Sequence, residues 1–214
     1  MTEPTEGKRV ATRYDVLPVI LDRWSPRSFS EREPEVEKLR SVFEAARLAP
    51  SAHNTQPPRF ILTRRGHGDA HERLGRCLSE ANQQWAPKAP VLILASAMRE
   101  RFSQVELTMV PYPHAMHDLG LAVMSLILQA QSLGLGTHPM AGFDPELASA
   151  ALSVPSDYEP AIVVALGYRG SPDVLPDDLR QREVGPRTRR ALEDVVFEDG
   201  WGSPCSLFSE GGTG

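Results

Sequence analysis

Residues 89–97 read APVLILASA, a nearly continuous apolar run. A strand with one wet face would alternate apolar and polar side chains. This run does not, so it predicts a strand covered on both faces. The run is about half the ~20 residues that a helix needs to cross a bilayer, so it is not read as a membrane segment. Residues 160–168, PAIVVALGY, carry the same pattern. Between the two lies the clearest helix, 115–133, where Leu119, Ala122, Val123, Leu126, Ile127, Ala130 and Leu133 stay in a 3.6-residue register. Gly134 and Gly136 end it.

Working outward, Arg59–Thr63 (RFILT) predicts another strand. Val36, Leu39, Val42, Phe43 and Ala46 form a helical stripe after Pro34. A short helix is expected over Tyr14–Arg23. A third follows Asp69, and a fourth is capped by Asp144 with Pro145 at its first position. Residues 99–114 contain Pro111 and Pro113 and read as loop with some helix; 137–143 read as loop or short strand. Residues 171–190 hold three prolines and five arginines between 180 and 190, with no core-forming pattern. Val195–Phe197 then read as a terminal strand. A polar arm ending in a strand suggests a segment reaching across a partner subunit. Residues 1–12 are expected to be frayed and 203–214 mobile, leaving a single domain over 13–202. The order of elements argues for one α/β or α+β domain with a mixed sheet.

Of the 214 residues, 41% are hydrophobic and 24% charged, with a net charge of −5. That balance does not draw the molecule to nucleic acid or to an acidic membrane. Cys77 and Cys205 form neither a CxxC nor a zinc spacing, and the first residues lack the apolar core of a signal peptide, so a cytoplasmic protein with two free thiols is expected. His67 and His71, and His114 and His117 beside Asp118, lack a third ligand at a credible spacing, so no metal is expected.

Folding alone explains three segments poorly. In RWSPRSF (23–29), Arg23, Ser25 and Arg27 could surround a phosphate monoester with two guanidinium forks and a hydroxyl. In PSAHNTQPP (50–58), Ser51, His53, Asn54, Thr55 and Gln56 are polar side chains fixed between prolines, suited to a heteroaromatic ring or a polyol. In GPRTRR (185–190), Arg187 and Arg189 alternate and would point the same way on an extended chain. Solvated arginines and an ordinary turn would account for each segment taken singly.

Together and in this order the segments resemble the nitroreductase family of FMN-dependent NAD(P)H oxidoreductases. Arg23, Ser25, Arg27 and Phe29 match its R-x-S-x-R-x-F opening, and Ala49–Pro57 its A-P-S-x-x-N-x-Q-P stretch. Ala89–Val91 match A-P-V. His117, Asp118, Gly120 and Ala122 match H/Q-D-x-G-x-A, and Ala130–Gly136 match A-x-x-L-G-L-G. Pro139–Phe143 match P-x-x-G-F. Arg187, Arg189 and Trp201-Gly202 match the closing elements. Trp24, Pro26, Pro58 and Ala141 depart from the usual pattern.

The resemblance implies an α+β, three-layer homodimer with a mixed central sheet, an exchanged C-terminal arm, and two FMN molecules at the interface. Arg23, Ser25, Arg27, Arg187 and Arg189 would hold the phosphate, the last two from the other subunit. Ser51 would line the partner-side wall, and Asn54 and Gln56 would bond the ribityl chain or the ring's polar edge. Pro139, Met140, Ala141 and Gly142 would lie along the flavin, with the backbone N–H near Ala141 facing its N5. NAD(P)H would deliver hydride in ping-pong turnover to nitroaromatics, quinones or activated alkenes. Tyr112, His114, Phe102 and Trp85 are candidates to line the substrate channel. A flavin store or sensor without turnover, or a specialised reductase, dehalogenase or oxidase on the same scaffold, is left open.

Overall fold

A computed structural model describes residues 8–103 and 105–208. Its elements run α1 (Pro18–Leu21), α2 (Val36–Arg47), β1 (Pro58–Arg64), α3 (Ala70–Arg76), α4 (Glu80–Gln83), β2 (Val91–Met98), β3 (Glu100–Ser103), β4 (Thr108–Pro111), α5 (Ala115–Ser132), β5 (Gly136–Met140), α6 (Pro145–Leu152), β6 (Tyr158–Gly167) and α7 (Asp177–Val184). The main sheet has the order β1-β2-β6-β5.

Strands β2 and β6 are central and carry the two apolar runs. Val91, Ile93, Ala95 and Ala97 of β2 join Val164 and Leu166 of β6 in a core with α2 and α5. Leu92 and Leu94 join Val163 and Ala165 on the other face, against α3, α6 and α7. Adjacent residues thus enter opposite cores, as the pleat requires. The result is an α+β fold of three layers. Every pairing that the chain makes with itself in the main sheet is antiparallel, so parallel pairing would have to come from a strand outside these four.

Several elements differ from the sequence reading. Helix α1 begins only at Pro18, because proline opens a helix but does not sit inside one. The 99–114 region forms the hairpin β3–β4 rather than loop and helix. Both faces of that hairpin are largely wet, with Phe102 and Met109 exposed, so no burial period marked it. Residues 177–184 form α7, which buries only Leu179 and Glu183 and so lacks an apolar stripe. Val195–Phe197 do not form a strand here. Leu192–Asp194 make a 3-10 turn, and Phe197 makes an isolated bridge to Pro204.

At the termini, Lys8 falls in the stretch expected to fray, yet it is buried and donates to the carbonyl of Arg182 at 3.1 Å. Residues 1–7 of that stretch lie outside the described residues, as do 209–214 of the tail. Cys205 and Cys77 are buried free thiols.

Candidate functional site

The RWSPRSF segment lies across the end of β6. Phe29 bridges to Arg169, and the Ser30 N–H donates to the Tyr168 carbonyl at 2.9 Å. The backbones pass so closely that a Cβ at Gly170 would stand 2.8 Å from the Phe29 carbonyl group, so no larger residue fits. The buried Glu183 carboxylate of α7 accepts the N–H groups of Arg27 at 2.9 Å and Ser28 at 3.2 Å. Burial pushes the Glu183 carboxyl up, opposed by those two N–H groups and by the charges of Arg27 and Lys8. Lys8 also lies over the Trp24 ring, 4.8 Å from its centroid.

On this frame a group of guanidiniums gathers. Arg23 donates to Ser25 Oγ at 3.2 Å. Arg187 donates to the carbonyls of Arg23 and of Leu21, the latter at 2.8 Å. Burial lowers the Arg23 pKa, and the charges of Arg187, Arg189 and Arg169 lower it further. Arg187 and Arg189 therefore neighbour Arg23 in the same chain. The sequence reading had them arriving from a partner. The short link after α7 explains the difference: Val184 is followed within three residues by Arg187, and α7 is already fixed to residues 27 and 28 through Glu183.

His138 of β5 faces the same region. Its Nδ1–H donates to the Pro26 carbonyl at 3.0 Å, and its ring lies 4.5 Å from that of Trp85. Burial, with the charges of Arg27 and Arg23 acting the same way, pushes its pKa down to about 4. Among the described residues, the buried side-chain donors without an acceptor are Trp24 Nε1, Arg169 Nε and Arg187 Nε. All three belong to this cluster. The buried Asp22 Oδ1 also lacks a hydrogen-bond partner, and its charge acts on Arg169 and Arg187, so one carboxylate already stands among them. Buried donors are nearly always paired, so the three unmet N–H groups leave room for a further acceptor. Glu183, Arg169, Lys8 and His138 were missed by sequence reasoning. Their parts depend on which chain ends pack together, which no local motif encodes.

The second segment is built differently. His53, Asn54 and Gln56 all have positive φ (52°, 54° and 52°), a costly backbone for side chains other than glycine. Asp118, in the first turn of α5, anchors this loop: it accepts the Ala52 N–H at 3.1 Å and the Tyr112 hydroxyl at 2.6 Å. Tyr112, His117 and the Ala52 N–H hold the Asp118 carboxyl below its ordinary range although burial opposes them. Ser51 Oγ accepts the Gln56 N–H at 2.9 Å, closing the loop on itself. The side chains of Asn54 and Gln56 stay exposed. Beside them opens a cleft of about 310 Å³ lined by Phe43, Ser51, Gln56, Pro58, Phe60 and Asp118.

Pro139–Gly142 end the edge strand β5. Met140 is buried in the core, so its side chain does not line an open site, whereas Ala141 and Gly142 are exposed. The Gly142 carbonyl accepts from Ser79 N–H at 2.9 Å and Asn82 Nδ2 at 3.0 Å, which fixes the turn. Of the channel candidates, Tyr112 and Trp85 are buried, and Tyr112 serves the loop through Asp118. Phe102 and His114 are exposed, on β3 and at the start of α5.

The arginine cluster and the polar loop do not meet within one chain. Arg169 bonds Gln131 near the end of α5 at 2.6 Å, while Ala52 bonds Asp118 near its start. Thirteen residues of helix (131 − 118) separate those anchors by about 20 Å.

A sequence profile described as the nitroreductase family matches residues 20–168, more than half of the chain. The chain belongs to the nitroreductase family. Among its relatives, an uncharacterised 15.4 kDa protein in the ask 5' region of Mycolicibacterium smegmatis is 37% identical over 155 residues, 68% of this chain and 99% of that protein. A Stutzerimonas stutzeri protein, provisionally named an NADH dehydrogenase/NAD(P)H nitroreductase, is 30% identical over 66% of this chain and 78% of its own. A crystal structure described as an oxidoreductase containing FMN superposes with a TM-score of 0.85 at 35% identity, covering 90% of this chain and 96% of that one. A nitroreductase family protein of Clostridium difficile 630, at 24% identity and a TM-score of 0.65, covers 83% of this chain and 94% of its own and shares the fold. Among the described residues, no helix is long and apolar enough to cross a membrane.

Proposed function

We propose that this nitroreductase-family chain is an FMN-dependent oxidoreductase fed by NADH or NADPH. It works as a homodimer in which each cofactor lies between the arginine cluster of one copy and the polar loop of the other. The unpaired donors of Trp24, Arg169 and Arg187 carry the reading, because a doubly charged phosphate ester would supply acceptors for them. The family and the FMN-containing structural relative support the cofactor. The 20 Å between the two halves of the site supports a pair of chains. So do the exposed apolar side chains of Leu17, just before α1, of Ile20 on α1, and of Met116 and Met124 on α5.

In this reading Arg23, Ser25, Arg27, Arg187 and Arg189 hold the phosphate. The turn at Ala141 and Gly142 offers backbone to the ring, and Asn54 and Gln56 of the second copy offer amides to its polar edge. When bound, FMN would supply the redox chemistry between a nicotinamide donor and an acceptor that uses the same slot. The protein's part is positioning. Asp118 keeps the strained loop in one shape, and Glu183 keeps residues 27 and 28 in register with the sheet. Flat, electron-poor acceptors such as nitroaromatics, quinones or activated alkenes suit a slot walled by backbone and apolar side chains.

The test is an anaerobic absorbance titration of purified, FMN-reconstituted protein with NADH and with NADPH. Bleaching of the flavin bands by either nucleotide, restored by a quinone or a nitroaromatic, is expected. Protein that takes up no FMN ends the proposal. Protein that binds FMN but is not bleached is a flavin carrier rather than an enzyme.

A further inference from the structure

Arg169 lies just past the end of β6, outside the arginine motifs of residues 23–27 and 187–189. Its guanidinium is mostly buried and makes no direct ion pair among the described residues, although the charges of Asp22 and Glu183 lie near enough to favour it. One nitrogen donates to Gln131 Oε1 at 2.6 Å, and the Nε donor faces no acceptor. Its Cζ stands 5.6 Å from the ring centroid of Trp24, within cation–π range. Trp24 is itself only 7% exposed, and its Nε1–H also lacks an acceptor. A buried guanidinium N–H and a buried indole N–H, side by side and without acceptors, are costly unless something accepts from them. Arg23, Arg187 and Arg189 share the neighbourhood with Arg169 and outnumber the carboxylates of Asp22 and Glu183 there, so the surplus charge points to an anion shared by the group.

We infer that Arg169 and Trp24 are part of the phosphate site, with Arg169 adding a further positive charge and the Trp24 ring holding it in place. This rests on the FMN reading above. It adds that the phosphate end recognises its ligand through two residues beyond the arginine motifs. It follows that the chain separates FMN from riboflavin, which has the same ring and ribityl chain but no phosphate, partly through residue 169.

The experiment measures dissociation constants for FMN and for riboflavin by quenching of flavin fluorescence, in wild type, Arg169→Gln, Arg169→Lys and Trp24→Phe. Circular dichroism checks each fold. Arg169→Gln is expected to weaken FMN by about tenfold or more and leave riboflavin unchanged. Arg169→Lys should retain part of the FMN preference, because the charge remains. Trp24→Phe keeps a ring under the guanidinium but loses the N–H, and should cost FMN a few-fold. The dependence of FMN affinity on salt should also flatten in Arg169→Gln. An unchanged ratio of FMN to riboflavin affinity in both Arg169→Gln and Trp24→Phe overturns the inference. So does equal weakening of both flavins, which would mark a purely structural role. A wild-type protein that binds FMN well while these variants behave like it sinks only the inference. A wild-type protein that binds neither flavin sinks the functional reading and the inference together.

Discussion

Asp118 shows how one side chain can hold a whole loop. Its carboxylate is buried and takes donors from Ala52 and Tyr112, and the three left-handed residues of the loop follow Ala52 within four positions. Asp118→Ala leaves the Ala52 N–H without its acceptor and the Tyr112 hydroxyl with only the Ala52 carbonyl, at 3.1 Å, which predicts a loss of about 1–3 kcal/mol in urea unfolding. Tyr112→Phe removes one donor and should cost about 1 kcal/mol. His138 gives a pH prediction. Its folded pKa of about 4 lies below the ordinary value of about 6.5, so the unfolded chain binds the extra proton more readily between those limits. Stability from this group is complete above the upper limit and declines as pH falls toward the lower one, by about 3 kcal/mol in all. Denaturation midpoints taken across that window should fall steadily with acid. His138→Gln, which cannot titrate, should flatten the slope.

At the scale of elements, α7 is the piece that the sequence concealed and the site depends on. Its one buried apolar side chain is Leu179, and its other buried residue is the carboxylate that holds Arg27 and Ser28. Periodicity finds helices through apolar stripes, and α7 has none. Helix α5 and strands β2 and β6 were legible for the opposite reason: each carries a long run of buried apolar side chains, over Val163–Leu166 in β6. The arginine and loop motifs were legible through family resemblance, but Glu183 and Arg169 were not, since their partners lie 156 and 38 residues away. Glu183→Ala should strand two backbone donors, costing about 2–4 kcal/mol by urea unfolding. It should weaken FMN retention as well, because Arg27 loses its fixed backbone. Unaltered retention in a folded Glu183→Ala protein would mean that the carboxylate serves the fold and not the site.

In the molecule as a whole, the two proposed half-sites lie at opposite ends of α5. One half holds the arginine cluster and the other the loop anchored by Asp118, and in the proposed dimer each cofactor draws on one half from each copy. This arrangement can be tested by mixing defects. Arg23→Glu with Arg27→Glu should abolish phosphate binding, and Asn54→Asp with Gln56→Glu should spoil the loop half, so that each homodimer retains little flavin. Coexpression of the two, with separate tags to isolate the mixed pair, should yield dimers with one intact site, one doubly damaged site and half the wild-type FMN content. A mixed dimer as empty as its parents would contradict the shared-site arrangement.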